Sequence, residues 1–342
     1  MTGACQKSQA ASGQGQEKAA QEKPAQEKAV QEENAQEAST QEAPAQEEAS
    51  QDVSVEEETA QDVSVQEEST KDRSELEELA QEKPKKEKIS FDSSWDYASY
   101  SRIHSGKCYL YHADQSVARG VTVCVNAGHG TEGGSSVKTQ CHPDGSAKLV
   151  SGSTSAGQTM AAAIAEGMTF PDGTKEDEAT LSLAKLVRDR LLDAGYDVLM
   201  IREKEDVQLD NIARTLIANN YADCHIALHY DSTESDKGAF YMSVPNVSSY
   251  RKMEPVRSCW KQHHKLGNAV IKGLKKKSVS IFGDGTMAMD LTQTSYSTIP
   301  SIDLEVGDAG SDISESTQKK IAAGILKGLN LYFKDSDKAS GR

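Results

Sequence analysis

The sequence is poor in the residues that build a hydrophobic core. Hydrophobic residues make up 36% of the 342 residues and aromatic residues only 5%, both low for a globular protein. The shortage is concentrated in the first quarter of the chain. We therefore expect one folded domain, although the length alone would allow two. The sequence also lacks an apolar run long enough to cross a bilayer, and no membrane-spanning segment is predicted.

Positive charge is scarce as well. The chain has 38 Lys and Arg against 53 Asp and Glu, a net charge of -15. This balance argues against a nucleic-acid partner, because phosphate binding requires a basic patch.

The six cysteines lack the paired CxxC spacing of a zinc knuckle. Cys124 and Cys224 lie in apolar segments and are expected to be small buried side chains. Cys108, Cys141 and Cys259 lie among polar residues and could pair.

Residues 1–85 are predicted to be a disordered spacer. From Gln16 to about Pro84 the chain repeats five-residue units such as QEKAA, QEKPA and QEKAV, without any aromatic residue. Such a segment cannot bury enough apolar surface to offset its ordering entropy, and its charges repel one another. The opening Met-Thr-Gly-Ala-Cys5 resembles the end of a bacterial lipoprotein signal, without the hydrophobic region. A lipid on Cys5 would be the only link to a membrane; the alternative is an ordinary cysteine in a tail.

The rest of the chain is predicted to be α/β. Residues 86–120 contain six aromatic residues and are interpreted as an N-terminal extension that packs on the domain. Residues 121–335 are interpreted as the domain itself. Apolar strand patterns alternate there with helical patterns, including a helix over residues 174–194 that Thr174 could cap. This alternation predicts a mostly parallel twisted sheet with helices on both faces.

Three of the predicted strands end in polar residues. One, VCVNAGHG, runs into a glycine-rich turn with His129 at its tip, and two others, IALHYD and PSIDLEVG, carry His229 and Glu305. In open α/β sheets, ligands bind just beyond the carboxyl ends of the strands. We therefore expect these three side chains to meet at one edge of the sheet.

Two histidines and a carboxylate at such an edge indicate a metal hydrolase. Zinc in hydrolases takes three ligands from His and Asp or Glu and leaves one position for water. His129 and His229 form the pair, and either Glu176 or Glu178 would complete the set. Glu305 is placed to take a proton from the water and pass it to a leaving amine.

The remaining histidines are interpreted as structural or solvent-facing. His225 shares a strand face with His229 but lies deeper in the strand, so a structural role is expected. His142, His263 and His264 lie among polar residues and are expected to face the solvent.

Two further features surround the expected site. Residues 131–175, rich in Gly, Ser and Thr, are predicted to form a long loop that shapes the substrate cleft. Arg202 and Arg214 are expected to stabilise the fold through ion pairs rather than to touch a substrate.

Over about residues 121–333 the chain resembles the zinc-dependent N-acetylmuramoyl-L-alanine amidases of the amidase-3 type. The motif NAGHG looks like the opening metal motif, although the family usually has Asp where Asn126 stands. Glu176 is followed by the residues that follow the second ligand of the family, namely an apolar residue five places on (Leu181), a small one eight places on (Ala184) and a glycine nineteen places on (Gly195). Glu178 fits this spacing less well. The remaining matches are the spaced Arg202 and Arg214, the ALHYD stretch with His229, and the PSIDLEVG stretch with Glu305. After Gly307 the family usually has a hydrophobic residue and Ser-Asn, which this chain lacks.

The resemblance implies that zinc is bound by His129, Glu176 and His229, and that Glu305 is the general base and then the general acid. The implied reaction cleaves the amide between N-acetylmuramic acid and L-alanine of the peptidoglycan stem peptide. An extracellular monomer at the cell surface or in the cell wall is expected. One alternative is a wall-binding protein on the same scaffold without catalysis. The other is a zinc peptidase or deacylase acting on another amide, which analogy of fold cannot separate.

Overall fold

The structure, a computed structural model, describes residues 84–340, with side chains up to residue 334. The predicted disordered spacer and the predicted lipid on Cys5 lie outside the described residues. The elements, in chain order, are β1 (Lys86–Ser90), β2 (Lys107–Tyr111), β3 (Thr122–Ala127), β4 (Lys138–Gln140), β5 (Met160–Ala162), α1 (Glu176–Asp193), β6 (Asp197–Met200), α2 (Asn211–Tyr221), β7 (Cys224–Asp231), β8 (Ala239–Ser243), α3 (Ser248–Lys252), α4 (Val256–Lys275), β9 (Ile281–Ala288), α5 (Thr292–Tyr296), β10 (Ser301–Asp308) and α6 (Glu315–Ser340).

Eight of the strands form one sheet, in the order β1-β2-β6-β3-β7-β10-β8-β9. The four central strands β6, β3, β7 and β10 run parallel to one another. Strand β2 is antiparallel to β6, and β8 is antiparallel to β10. The predicted α/β class with a mostly parallel sheet is therefore confirmed. None of the helices in the described residues is long and apolar enough to span a bilayer.

Helices cover both faces of the sheet. On one face α1, α4 and α6 pack against the strand residues Val123, Ile226 and Leu304 in the larger core. On the other face α2 packs against Cys124 and neighbouring residues of β6. Alternate residues of a strand point to opposite faces, and this explains how consecutive residues of β3 enter different cores.

The residues from 86 to 111 supply two strands of the sheet. Strand β1 pairs with β2, and β2 pairs with β6, so both extend one edge of the sheet. Between them, Phe91 and Trp95 pack against apolar residues of α2. The residues that were interpreted as an extension thus share the hydrogen bonds of the central sheet.

Helix α1 begins later than expected. Thr174 was predicted to cap it, but the residue before the helix is Lys175, and no side chain caps the first turn. Thr174 is instead part of a turn, where its backbone N–H donates to Asp172 Oδ1 at 2.9 Å and its carbonyl accepts from Phe170. The capping prediction was wrong because the helix starts at Glu176, so that Lys175 and not Thr174 occupies the capping position.

Candidate metal centre

His129 lies in the turn after β3, in a left-handed backbone conformation with φ of 60°. Its Nδ1 lies 2.8 Å from the carbonyl oxygen of Ala165, and only a protonated nitrogen can donate to a carbonyl. This contact fixes the tautomer and leaves the lone pair of Nε2 directed at the other predicted ligands.

Glu176 is the first residue of α1 and is almost completely buried. Its Oε1 lies 2.9 Å from Nε2 of His129 and 3.2 Å from Nδ1 of His229. Backbone N–H groups of Met168 and Tyr230 donate to its two carboxylate oxygens. Burial opposes the charged form, but the hydrogen bonds and charges of the two histidines outweigh burial and hold the pKa of Glu176 well below its usual range.

His229 lies near the end of β7, with Nδ1 3.0 Å from Nε2 of His129. Its other ring nitrogen, Nε2, lies 3.8 Å from Oδ2 of Asp303. Burial alone would lower the pKa of His229, but Asp303 and then Glu176 raise it to about 10. The imidazole thus stands between two carboxylates, one on each side of the ring.

These three residues fit a zinc ion. Two imidazole nitrogens and one carboxylate oxygen lie within 4.8 Å of one another, and this is a donor set that catalytic zinc takes. Acceptor atoms that converge in this way repel one another unless a cation or protons lie between them. The outer contacts from Ala165 and Asp303 to the imidazoles are of the kind that orient zinc ligands. Glu178, the alternative ligand in the sequence, is exposed.

Glu305 lies beside His229, because β10 and β7 pair in parallel with these two residues in register. The side chain is buried, and its Oε2 has no hydrogen-bond partner among the described residues. Burial, followed by the neighbouring charge of Asp303, raises the pKa of Glu305 well above its usual range. Burial also raises the pKa of Asp303. The site therefore contains a carboxyl group suited to holding a proton.

Two buried arginines support the turn that carries His129. Arg214 donates to the carbonyl oxygen of His129 at 2.7 Å and to Asn126 Oδ1 at 3.1 Å. Arg202 donates to the carbonyl oxygens of Gly128 at 2.9 Å and Asp177 at 2.7 Å. Hydrogen bonds to the backbone thus replace the ion pairs that the sequence suggested. They join the turn to α1 and α2.

Several side chains that were expected to be exposed are buried. His142 lies 3.2 Å from Asp290, and His263 accepts a hydrogen bond from the backbone of Ser301 at 2.8 Å. Both histidines are inaccessible to solvent, so the prediction that they face the solvent was wrong. His264 is half-buried.

The three cysteines that were considered able to pair are free and buried, namely Cys108, Cys141 and Cys259.

The site opens into a cleft of about 660 Å³. As expected, the segment after His129 lines it, through residues 151–154 and 164–168 among others. The segment is not entirely loop, because it contains the antiparallel pair of β4 and β5. Met242, Met287 and Met289 form a wall of the cleft that was not predicted from the sequence. No local pattern marks these residues, because β8 reads AFYMS and β9 reads IFGDGTMA, without a regular alternation of apolar side chains.

A family model described as N-acetylmuramoyl-L-alanine amidase matches residues 123–330. Among solved structures, an N-acetylmuramyl-L-alanine amidase from Mycobacterium smegmatis is 15% identical, with a TM-score of 0.52 over 64% of this chain and 99% of that chain. The corresponding amidase from Mycobacterium abscessus is 17% identical, with a TM-score of 0.50 over 63% and 99% of the two chains. At these identities the structures show a shared fold. No curated protein matches the sequence.

Proposed function

This chain belongs to the N-acetylmuramoyl-L-alanine amidase family, and we propose that it is a zinc-dependent hydrolase of peptidoglycan. The bond cleaved is the amide between N-acetylmuramic acid and L-alanine of the stem peptide. The observation that carries the proposal is the convergence of His129, Glu176 and His229 beside the buried Glu305, in one cleft.

His129, Glu176 and His229 would hold the zinc ion. When bound, zinc lowers the pKa of a water molecule to roughly 7 and polarises a carbonyl group. The chain keeps the two imidazoles in position through the Ala165 carbonyl and the Asp303 carboxylate. It also keeps Glu176 ionised, through two backbone N–H groups and the neighbouring histidines.

Glu305 would transfer the proton. Its carboxyl group would accept a proton from the attacking water and donate it to the nitrogen of the leaving L-alanine. A raised pKa suits this task, because the group must hold the proton between the two transfers. The free Oε2 atom of Glu305 is available to make the necessary hydrogen bonds.

The site of action is part of the proposal. Peptidoglycan lies outside the cell membrane, so we propose that the protein acts at the cell surface or in the cell wall, as a monomer. A lipid on Cys5 would hold it there. The residue lies outside the described part of the chain, and its lipidation stays a prediction.

Replacement of Glu305 by Gln tests the proposed role directly. The Glu305→Gln variant should bind one zinc ion and bind peptidoglycan, but release peptides at least about 100-fold more slowly, because general acid–base catalysis contributes about 10²–10⁴-fold. Mass spectrometry should show that the wild-type protein releases peptides that begin at L-alanine. Release of peptides cut at another amide would indicate the peptidase or deacylase alternative. Binding of the wall without turnover by the wild-type protein would indicate the non-catalytic alternative.

A further inference from the structure

A row of positive charge lies on the solvent-facing side of α4, outside the cleft that contains the candidate metal centre. The side chains that form the row are all exposed, namely Arg257, Lys261, Lys265, Lys272 and Lys275. At 3.6 residues per turn they fall within about 80° of the helix circumference, and the row is roughly 27 Å long. None of them lines the cleft. We call these five residues the basic stripe.

The basic stripe is a local exception in an acidic chain. The sequence has no Asp or Glu from Pro255 to Gly283, although the whole chain has a net charge of -15. Residues 248–277 contain nine Lys and Arg and one acidic residue, Glu254. This segment therefore carries +8, and the other residues, which together with it sum to -15, carry -23. A polyanion would be repelled by most of the chain and attracted at this surface.

The domain leaves most of this charge without a partner. Arg257 forms an ion pair with Glu254 at one end of the stripe, and Lys275 lies near Asp284 of β9 at the other. Among residues 84–334, Lys261, Lys265 and Lys272 have no ion-pair partner. Like charges one helical turn apart repel each other. An anionic ligand along the stripe would remove this repulsion.

Helix α4 directs the basic stripe toward the edge of the sheet at which the cleft lies. In the first half of the helix, His263 contacts the first residue of β10, Ser301. Just beyond the end of the helix, the carbonyl of Ser280 accepts a hydrogen bond from Ala239 at 2.8 Å. Ala239 directly precedes the residue of β8 that pairs with Glu305. The end of α4 that is richest in lysine therefore lies toward the edge that carries Glu305.

We propose that the basic stripe binds a linear phosphodiester polymer, and that this contact holds the enzyme on a cell wall that carries such a polymer. The inference goes beyond the proposed function, because it concerns a surface outside the cleft, but it takes the cell wall as the place of action from it. Lysine binds phosphate as a compact point charge on a flexible stem, without a fixed geometry. A narrow row of lysines suits a flexible chain whose charges are spaced along its length.

A membrane surface fits the basic stripe less well. Helices that bind at a membrane interface insert an apolar face and keep a basic face outside. The apolar side of α4, with Leu266, Val270 and Leu274, is buried in the larger core. In the part of the chain that the structure describes, none of the large apolar side chains that are exposed lies on α4. The helix thus offers a membrane charge alone.

Nucleic acid also fits the basic stripe less well. Proteins that bind single strands stack the bases on aromatic side chains. Trp260 is the only Trp, Tyr or Phe of α4, and it is half-buried. The guanidinium of Arg251 covers its ring, 4.1 Å from the centroid. The stripe therefore offers charge without a surface for stacking, and this favours a polymer that has no bases.

Binding of a defined polymer to the full chain tests the proposal. The probe is poly(glycerol phosphate), titrated into the protein in a calorimeter at several salt concentrations. In the double variant Lys261→Gln and Lys265→Gln, we expect the Kd to rise at least about 10-fold, because each lysine near an anionic surface favours binding. The slope of log Kd against log salt concentration should fall by about 1.4, since each phosphate contact to a single strand contributes about 0.7.

The matched control is the double variant Lys88→Gln and Lys185→Gln. It removes the same charge from exposed lysines on β1 and α1, so it should bind the polymer as the wild type does. Peptide release is measured alongside. On walls that carry the polymer, the stripe variant should release peptides more slowly than the control. On peptidoglycan stripped of the polymer, the two variants should release them equally, because the stripe lies outside the cleft.

The proposal is overturned if the wild type does not bind the polymer, or if the stripe variant and the control variant bind it equally. Tighter binding of phosphatidylglycerol–phosphatidylcholine vesicles through the same lysines would overturn it in favour of a membrane. Tighter binding of single-stranded DNA would overturn it in favour of a nucleic acid. A protein that binds the polymer through the stripe but releases no peptide contradicts the proposed function alone.

Discussion

Arg214 donates a hydrogen bond of 3.1 Å from its guanidinium to the side-chain oxygen of Asn126. The same guanidinium donates to the carbonyl of His129 at 2.7 Å. The contact explains how an amide can stand where the resemblance leads one to expect Asp, because an amide oxygen still accepts the bond. Burial, followed by the nearby charge of Arg202, lowers the pKa of Arg214 to about 9. The turn that carries the first predicted ligand thus depends on a buried, hydrogen-bonded cation.

Replacing Arg214 by Lys should weaken zinc binding. A lysine ammonium cannot reproduce the planar fork that reaches both Asn126 and the His129 carbonyl. We expect the zinc affinity to fall by about 10–100-fold, the range seen when outer contacts of a metal site are lost. Competition with a chromophoric chelator measures it. The matched control is Arg257→Lys, at an exposed arginine on α4. Wild-type affinity in a folded Arg214→Lys protein would contradict the role of this arginine.

Gly167 supports the predicted ligands from another direction. It has φ of +89°, and a Cβ atom there would lie 2.8 Å from Cδ2 of His129 and 3.0 Å from Oε2 of Glu176. The Gly167→Ala variant should therefore displace these side chains and lose both zinc and hydrolysis. Gly173 offers a matched control, with φ of +90° and no atom within 4 Å of the added Cβ. Gly173→Ala carries the same backbone strain and should keep its zinc. Equal zinc content in the two variants, measured by atomic absorption, would contradict this account.

Helices α4 and α6 approach each other closely at glycine residues. A Cβ atom on Gly273 would come within 2.3 Å of backbone atoms of both Gly324 and Gly328. Gly273→Ala should force the helices apart and lower the free energy of unfolding by about 1–3 kcal/mol. Urea unfolding measures the change, with Lys272→Ala, at an exposed neighbour on the same helix, as the control. The zinc content of the folded variant should stay that of the wild type. A stability equal to that of the control would show that the helices do not approach so closely.

Acid should destabilise the fold through two buried histidines. Burial chiefly lowers the pKa of His225 and that of His263 to about 3 each. Their ordinary pKa is 6.5, so the unfolded chain binds more protons than the folded chain between pH 6.5 and pH 3. Stability is therefore complete above pH 6.5 and is lost as the pH falls, by up to about 1.4 kcal/mol per pH unit for each histidine.

The slope of the unfolding free energy between pH 4 and pH 6 tests this. Urea unfolding would be measured with a chelator present, so that zinc release does not contribute. His263→Asn should reduce the slope, because one of the two histidines no longer takes up a proton on unfolding. The exposed His104 provides a control variant, His104→Gln, which should keep the wild-type slope. An unchanged slope in His263→Asn would contradict the assignment.

The features that the sequence predicted well are local. The position of His229 and Glu305 near the carboxyl ends of apolar strands placed them at one edge of the sheet, and the glycines around His129 marked a turn. The choice between Glu176 and Glu178 required the family spacing, since both occupy the first turn of α1. In the structure only Glu176 is buried beside the histidines. Its role as a ligand remains part of the proposal.

The features that the sequence predicted poorly depend on distant partners. His142 was expected to face the solvent, but it is buried beside Asp290, which lies far along the chain and also contacts Lys148. His263 is buried because α4 packs beside the start of β10, where the backbone N–H of Ser301 donates to Nδ1 of His263. The cleft wall of Met242 and Met287 also forms only when β8 and β9 pair. The spacing of residues along the sequence does not predict such contacts.

The central claim is that zinc bound by His129, Glu176 and His229 drives hydrolysis of the muramoyl–L-alanine amide. The most direct measurement is the zinc content of the protein together with mass spectrometry of peptides released from purified peptidoglycan, before chelation, after chelation and after zinc is restored. The account predicts one zinc ion per chain and peptides that begin at L-alanine, with release abolished by the chelator and recovered with zinc. A protein that contains no zinc, or one that releases the same peptides at the same rate after complete removal of the metal, would contradict it.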